Sequence, residues 1–125
     1  MNAKILIVDD SSLARRTMRS MLEDLGYTVE DASDGAAALE KFFVSPPDLV
    51  ILDLVMTGMY GVDVLNKMRE LNPSARVIIA TADVQQSTSD QVRAAGAKAI
   101  LNKPVTREKV KGVLDVVLQG GEQWN

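Results

Sequence analysis

The stretch Ile-Leu-Ile-Val-Asp-Asp at residues 5–10 places four apolar residues directly before two adjacent carboxylates. A second run of the same kind, residues 49–52, is followed by Asp53. Continuous rather than alternating apolar runs are typical of strands that are buried on both faces of a parallel sheet. Because parallel strands end at the same edge of a sheet, the sequence predicts that three carboxylates meet there. Their mutual repulsion calls for a cation.

Short apolar runs alternate with helical patterns along the whole chain of 125 residues. Apolar residues at helical spacing predict five helices, which start at Ser11 or Ser12, near Asp34, before Leu65, near Gln85 and at Thr106. The five predicted strands cover residues 5–8, 28–32, 49–52, 77–80 and 99–101. Right-handed connections between such units predict an α/β fold, with a doubly wound, flavodoxin-like parallel sheet of five strands in the order 2-1-3-4-5.

Two of these helices are identified by few apolar positions. Leu39 and Phe43 mark the second helix, and Leu65, Met68 and Leu71 mark the third. Residues at this spacing share one face of a helix, which is the face that packs on a sheet. The fourth helix, roughly residues 85–95, is polar and rich in small residues, so its pattern is the weakest of the five.

The composition limits the possible functions. The length suits a single domain, which we assign to residues 1–119, followed by a loose tail at 120–125. The chain has no cysteine and no histidine, which excludes thiolate and imidazole metal sites and the usual general base at neutral pH. The net charge of −3, with scattered basic residues, predicts no nucleic-acid partner. No apolar stretch is long enough to span a bilayer, so we expect a cytoplasmic protein without a membrane partner.

Two further polar groups follow the later strands. Thr81 comes at the end of the predicted fourth strand, and Lys103 with Pro104 follows the fifth. Each group has an ordinary interpretation, since Asp10 could cap a helix, Thr81 could be a β-branched strand end and Lys103 a solvated loop residue. Their convergence at one sheet edge instead favours a site for phosphoryl chemistry, in which a cation, an ammonium and a hydroxyl surround a carboxylate.

The sequence resembles response-regulator receiver domains, the phospho-acceptor modules of two-component signalling. The resemblance lies in Ile-Leu-Ile-Val-Asp-Asp at 5–10, Asp-Leu-Val-Met at 53–56 with Gly61 beyond, Thr81-Ala82 and Lys103-Pro104. These motifs span nearly the whole chain in the order and spacing of the family. The resemblance implies the flavodoxin-like fold predicted above.

The resemblance also implies a role for each matched residue. Asp53 accepts a phosphoryl group from a phosphohistidine on a histidine kinase or histidine phosphotransfer protein. Asp10 and Asp53 bind Mg²⁺ together with the backbone carbonyl of Val55, and Asp9 acts mainly through water. Thr81 and Lys103 contact the phosphoryl oxygens. The Lys103–Pro104 bond is expected to be cis, and Val55 and Asp83 occupy the positions that tune hydrolysis of the acyl phosphate.

The chain also departs from the family pattern. Thr57 and Tyr60 stand where proline and aspartate are common, changes that we expect to affect loop shape more than chemistry. Ile100 and Val105 replace aromatic residues, so we expect the switch to work without an aromatic rotamer, through backbone movement at residues 82–87. The face formed by the fourth helix, the fifth strand and the fifth helix is then the expected surface for a downstream protein target or a homodimer, with Ile100 and Val105 as its apolar spots.

Three alternatives belong to other functional classes. A haloacid-dehalogenase-like phosphatase needs a second aspartate two residues after its nucleophile, where this chain has Val55. A flavin mononucleotide binder needs a glycine- and hydroxyl-rich loop after the first strand, where Asp9 and Asp10 would repel the phosphate. A degenerate receiver that serves as a docking scaffold should lack a member of the set formed by Asp9, Asp10, Asp53, Thr81 and Lys103, and all five are present here. We therefore expect a stand-alone receiver without an output domain, acting as a chemotaxis-type regulator, a relay intermediate or a phosphate sink.

Overall fold

The structure is a computed structural model that describes residues 2–124. Met1 and Asn125, the outer ends of the predicted domain and tail, lie outside the described residues. None of the helices within the described part of the chain is long and apolar enough to cross a membrane. The elements, in chain order, are β1 (Lys4–Val8), α1 (Ser12–Asp24), β2 (Thr28–Ala32), α2 (Gly35–Val44), β3 (Leu49–Asp53), β4 (Val55–Met56), β5 (Met59–Tyr60), α3 (Gly61–Leu71), β6 (Val77–Thr81), α4 (Gln86–Ala94), β7 (Ala99–Asn102) and α5 (Arg107–Leu118).

Five of the strands form one parallel sheet in the order β2-β1-β3-β6-β7. This order confirms the predicted order 2-1-3-4-5, because β6 and β7 are the fourth and fifth of the strands predicted from sequence. The registers pair Val8 with Leu52 and Asp53 with Ala80. As a result, the polar residues that follow β1, β3 and β6 leave the sheet at one edge.

A short antiparallel hairpin, β4 with β5, was not predicted from the sequence. Val55 pairs with Tyr60 and Met56 with Met59, across a turn in which Gly58 has a φ of 79°. A positive φ of this kind is readily adopted by glycine and rarely by other residues. Each strand has only two residues, which is too short for a periodic pattern to identify.

Helices cover both faces of the sheet and enclose two apolar clusters. On one face, α1 and α5 contribute Met18, Leu22, Val110 and Leu114 to a cluster with alternate residues of the strands. On the other face, α2, α3 and α4 form a second cluster with the remaining strand residues. Burial on both faces explains why the strands have continuous apolar runs.

Two of the residues that marked helices do not face the core. The side chain of Phe43 is 71% exposed, and that of Leu71 is 51% exposed. The fully buried core residues of α2 include Ala38 and Phe42, and Leu39 packs against the same cluster. Two phenylalanines are adjacent at 42 and 43, and the first of them, not Phe43, faces the core.

The segment that was expected to be a loose tail lies against the sheet. The N–H of Gln123 donates to the carbonyl of Lys98 over 2.9 Å, and Gln123 forms a parallel bridge with Ala99 of β7. β7 is the last strand of the sheet and therefore offers unpaired backbone groups along its outer edge. The hydrogen bond from Gln123 gives a partner to one of these backbone groups, the carbonyl of Lys98.

Gly61 should be required for the backbone to pass beside the end of β3. A Cβ atom at this position would lie 2.6 Å from the carbonyl oxygen of Asp53 and 2.9 Å from the Cα of Leu54. Because backbone atoms cannot move aside as a side chain can, we expect Gly61→Ala to lower the free energy of unfolding by about 1–3 kcal/mol. Urea denaturation measures this change.

Gly112→Ala is the matched control. Gly112 lies within α5, and a Cβ added there meets no atom within 4 Å. Alanine is favoured over glycine inside a helix by roughly 0.5–1 kcal/mol, so this variant should be more stable than the parent protein. Equal stability of the two variants would contradict the close approach at Gly61.

Candidate functional site

Three carboxylates meet at the carboxyl edge of the sheet. Asp9 and Asp10 follow β1, and Asp53 is the last residue of β3. One oxygen atom from each of the three lies within 4.8 Å of the others. Asp9 and Asp53 are buried, whereas Asp10 is exposed. The structure therefore brings together the carboxylates that the sequence placed at the ends of two neighbouring strands.

The ammonium of Lys103 lies between the two buried carboxylates. Its Nζ atom is 3.3 Å from Oδ2 of Asp9 and 3.4 Å from Oδ1 of Asp53. Lys103 follows β7, and its backbone N–H donates to the carbonyl of Thr81 over 2.9 Å. The next peptide bond, between Lys103 and Pro104, is cis. The loop after β7 thus carries a positive charge back over the crevice between β1 and β3.

Burial and charge shift the pKa values of these groups. Burial raises the pKa of the Asp53 carboxyl above its ordinary value, the charge of Asp9 adds to this, and Lys103 opposes both. Burial lowers the pKa of the Lys103 ammonium, but the charges of Asp53 and Asp9 outweigh it, so this pKa is raised. Burial thus dominates at Asp53, whereas the two neighbouring carboxylates dominate at Lys103.

Asp10 is bound by a residue that the sequence did not indicate. Its Oδ2 atom accepts hydrogen bonds from the backbone N–H of Thr57, at 2.8 Å, and from the Thr57 hydroxyl, at 3.0 Å. These bonds, the backbone one first, hold the pKa of Asp10 below its ordinary value. The replacement of proline by Thr57 was expected to affect loop shape more than chemistry. Thr57 in fact supplies two donors to Asp10, its backbone N–H and its hydroxyl. Proline has neither group.

Residues at the start of α1 form hydrogen bonds with Asp9 rather than with Asp10. Ser11 is the N-cap of α1, and its hydroxyl accepts from the N–H of Ala14. Ser11 donates its own N–H to Oδ1 of Asp9 over 2.9 Å. Arg15 donates to the backbone carbonyl of Asp9 over 2.7 Å. Because Ser11 caps the helix, Asp10 is not used for capping.

Thr81 is connected to the start of α4 through Asp83. The Oγ1 atom of Thr81, which is buried at the end of β6, accepts from the N–H of Asp83 over 3.0 Å. The carboxylate of Asp83 accepts from the hydroxyl of Thr88 at 2.6 Å and from the N–H of Gln85 at 2.8 Å. These bonds, the Thr88 bond first, lower the pKa of Asp83. A polar chain thus runs from the site to the first turn of α4.

Val55, Ile100 and Val105 are not part of the polar cluster. Val55 begins β4, and its side chain is 66% exposed beside the site. Ile100 and Val105 are half-buried rather than exposed, and they pack against different apolar clusters on opposite faces of the sheet. Part of each side chain therefore remains exposed, and their role as apolar spots of the output face stays a prediction.

A groove of about 350 Å³ runs from the carboxylates along α1. Asp9, Asp53 and Lys103 lie at one end of the groove. Leu13, in the first turn of α1, also lines the groove and is 66% exposed. The remaining wall of the groove is largely apolar and comes from α1, from the ends of the central strands and from the loop that contains Pro104 and Val105.

Comparison with known proteins identifies the family. The family model described as "Response regulator receiver domain" matches residues 5–115. The chain is 32% identical over 118 residues to the chemotaxis protein CheY of Thermotoga maritima, covering 94% of this chain and 98% of that protein. It is 33% identical to sporulation initiation phosphotransferase F of Bacillus subtilis, covering 89% of this chain and 90% of that protein.

A solved structure shows the same fold. The CheY-like response regulator receiver domain protein from Methanospirillum hungatei superposes with a TM-score of 0.89 at 28% sequence identity, covering 95% of each chain. The acidic cluster, Thr81 and Lys103 lie where the family motifs of the sequence predicted a phosphoryl site. The chain therefore belongs to the response regulator receiver domain family of two-component signalling.

Proposed function

We propose that Asp53 accepts a phosphoryl group from a phosphohistidine of a histidine kinase or a histidine phosphotransfer protein. The observation that carries this proposal is the position of Asp53, a buried carboxylate that lies 3.4 Å from the ammonium of Lys103 and beside two further carboxylates. In the transfer, an oxygen of Asp53 forms a bond to phosphorus while the bond between phosphorus and the histidine nitrogen breaks. The imidazole leaves with that electron pair, and Asp53 becomes an acyl phosphate.

The donor set fits a hard divalent cation. Three carboxylates whose oxygens lie within 4.8 Å of one another repel each other, and carboxylate oxygen is the ligand that Mg²⁺ prefers. Asp10 and Asp53 would hold the ion directly, the backbone carbonyl of Val55 would supply a further oxygen, and Asp9 would act mainly through water. When bound, Mg²⁺ supplies positive charge that offsets the phosphoryl oxygens.

Lys103 and Thr81 would contact the transferred group from the other side. Lys103 has three ammonium protons, so it can keep a carboxylate and still donate to a phosphoryl oxygen. The oxygen of the Thr81 hydroxyl already accepts from Asp83, which leaves its hydrogen available to donate. Together these donors stabilise the negative charge on the phosphoryl oxygens during transfer.

Two positions next to the site would set the lifetime of the acyl phosphate. Val55 is exposed, and it offers no proton donor to a leaving group or a water molecule. This supports a signalling acceptor over a phosphatase of the haloacid-dehalogenase type, which needs an acid at that position. Asp83 is held by Thr88 and Gln85, so we propose that it limits how water approaches Asp53 from the side of α4.

The groove along α1 would receive the phosphohistidine donor. It leads to Asp53, its walls are largely apolar, and Leu13 is exposed at its rim. An exposed leucine beside an apolar groove suits a partner helix that carries the histidine. We propose that this exchange takes place in the cytoplasm, and that the phosphorylated protein then acts through a downstream protein.

The pathway position follows from the partner that is recognised after phosphorylation. A chemotaxis-type regulator would bind a target protein, a relay intermediate would bind a phosphotransfer protein, and a phosphate sink would bind only its kinase. A pull-down with and without beryllofluoride, a mimic of the acyl phosphate, separates these roles. A homodimer through α4, β7 and α5 would be seen by size-exclusion chromatography with light scattering as a doubling of the mass in solution when beryllofluoride is added.

Asp53→Asn should abolish phosphorylation. Incubation of the parent protein with acetyl phosphate and Mg²⁺ should add a single phosphate, detected by mass spectrometry of the intact chain. The amide lacks the charged oxygen that attacks phosphorus, so the variant should remain unlabelled. Asp115→Asn, a change of the same chemistry on the exposed side of α5, should label like the parent protein. Labelling of Asp53→Asn would remove Asp53 from the role of acceptor.

Thr57→Val should raise the pKa of Asp10 in the absence of metal. The variant loses the hydroxyl that donates to Oδ2 of Asp10 and keeps the backbone N–H, which is the larger cause of the lowered pKa. The pKa should therefore move part of the way back to the ordinary value of an aspartate. A ¹³C NMR titration of the carboxyl carbon measures it, with Thr57→Ser as the control that keeps the hydroxyl. An unchanged titration in Thr57→Val would show that the Thr57 hydroxyl does not donate to Asp10 in solution.

A further inference from the structure

Residues 120–124, here called the strap, fold back from α5 onto the outer edge of the sheet. The N–H groups of Gly120 and Gly121 donate to carbonyls of the last turns of α5, at 3.0 and 2.9 Å. Gln123 then bridges Ala99 of β7. Because β6 occupies one side of β7, the strap takes the opposite side, as a short addition beyond the last strand.

Trp124 anchors the strap between β7 and α4. Its ring is half-buried and packs against the apolar cluster that includes Ile100. The guanidinium of Arg93, in the last turn of α4, lies 5.3 Å from the centre of the ring, which is within the range of a cation–π contact. The indole Nε1 donates to Glu122 over 2.8 Å. An aromatic ring therefore does lie next to Ile100, although it comes from the strap rather than from β7.

The strap and the loop after β6 line the same cavity. This cavity of about 110 Å³ has Trp124, Ile100 and Asn102 on one side and residues 83–86 with Ser89 on the other. Residues 83–86 are held by the hydrogen bonds that Asp83 makes with Thr81, Gln85 and Thr88. The wall that faces Trp124 is thus connected, through Asp83, to the hydroxyl of Thr81.

The order of the strands gives the direction of the coupling. Asp53 is on β3, Thr81 is on β6, and the strap lies beyond β7, so any movement of Thr81 towards Asp53 is a movement away from the strap. Asp83 follows Thr81, since its N–H donates to the Thr81 hydroxyl oxygen. The wall of residues 83–86 would then move away from Trp124 and widen the cavity that both line. Because Thr88 ties Asp83 to the first turn of α4, this movement would also disturb α4, which carries Arg93 against the ring.

We propose that the strap is an internal cover of the face between α4 and β7, seated on the unphosphorylated protein and released when a phosphoryl group is present on Asp53. This inference rests on the proposed phosphorylation of Asp53. The seat is suited to release, because it consists of one backbone bridge, one cation–π contact and the half-buried ring. Release exposes the outer edge of β7 and the cavity wall as a surface for a partner protein.

Intrinsic fluorescence tests the release directly, because Trp124 is the single tryptophan of the chain. We expect beryllofluoride with Mg²⁺ to shift the emission of the full chain to longer wavelength, and acrylamide quenching to rise about twofold as the ring enters water. Mass spectrometry after acetyl phosphate treatment is run in parallel on the same protein. A chain that labels on Asp53 but shows unchanged emission and quenching would overturn the release of the strap alone. A chain that does not label would overturn both proposals.

Variants at Thr88 test the route through Asp83. Thr88→Val keeps the shape of the side chain but removes the hydroxyl that donates to Asp83, whereas Thr88→Ser keeps the hydroxyl. We expect Thr88→Val to label on Asp53 and to lose most of the fluorescence change, and Thr88→Ser to retain that change. An identical fluorescence change in parent protein and Thr88→Val would overturn the route. A fluorescence change that persists in Asp53→Asn would show that beryllofluoride does not act on Trp124 through Asp53, and would overturn the release of the strap.

Discussion

The contact of one ammonium with two buried carboxylates is the constraint on which this structure depends. Lys103 lies 3.3 Å from Asp9 and 3.4 Å from Asp53, at the edge of a sheet whose central strands bury mainly apolar residues. Buried carboxylates are costly unless a positive charge is close to them. This positive charge is on Lys103, in the loop after β7, whereas the carboxylates follow β1 and end β3. The ion pairs can therefore form only when β1, β3 and β7 have been assembled into the sheet.

The same balance explains how the site can respond to a ligand. With one cation for two buried carboxylates and an exposed third, the site retains an excess of negative charge. Burial first, and then the charge of Asp9, raise the pKa of Asp53. In the proposed function, a divalent cation would offset that excess, and a phosphoryl group would add oxygens within reach of Lys103 and Thr81. The hydrogen bond between Thr81 and Asp83 would connect such a change to the first turn of α4.

The parts of the structure that could be predicted from sequence are those set by strand ends. Carboxylates after apolar runs placed Asp9 and Asp53 at one edge, because parallel strands share their direction. The hydrogen bonds from Thr57 to Asp10 could not be predicted from strand ends. They depend on the β4–β5 hairpin, whose strands of two residues have no periodic pattern. The position of Trp124 depends on a single backbone bridge and a distant arginine, and no local pattern in the sequence specifies either.

The stability of Lys103→Met, with and without Mg²⁺, tests most directly whether charge balance at this edge governs the structure. Methionine keeps the length of the side chain and removes the ammonium, which leaves two buried carboxylates without a cation. Because Lys103 is about one third exposed, water screens part of this loss, and we expect the free energy of unfolding to fall by about 1–2 kcal/mol without metal. Saturating Mg²⁺ should restore most of it relative to the parent protein under the same conditions. An equal loss with and without Mg²⁺, or no loss at all, would contradict the account.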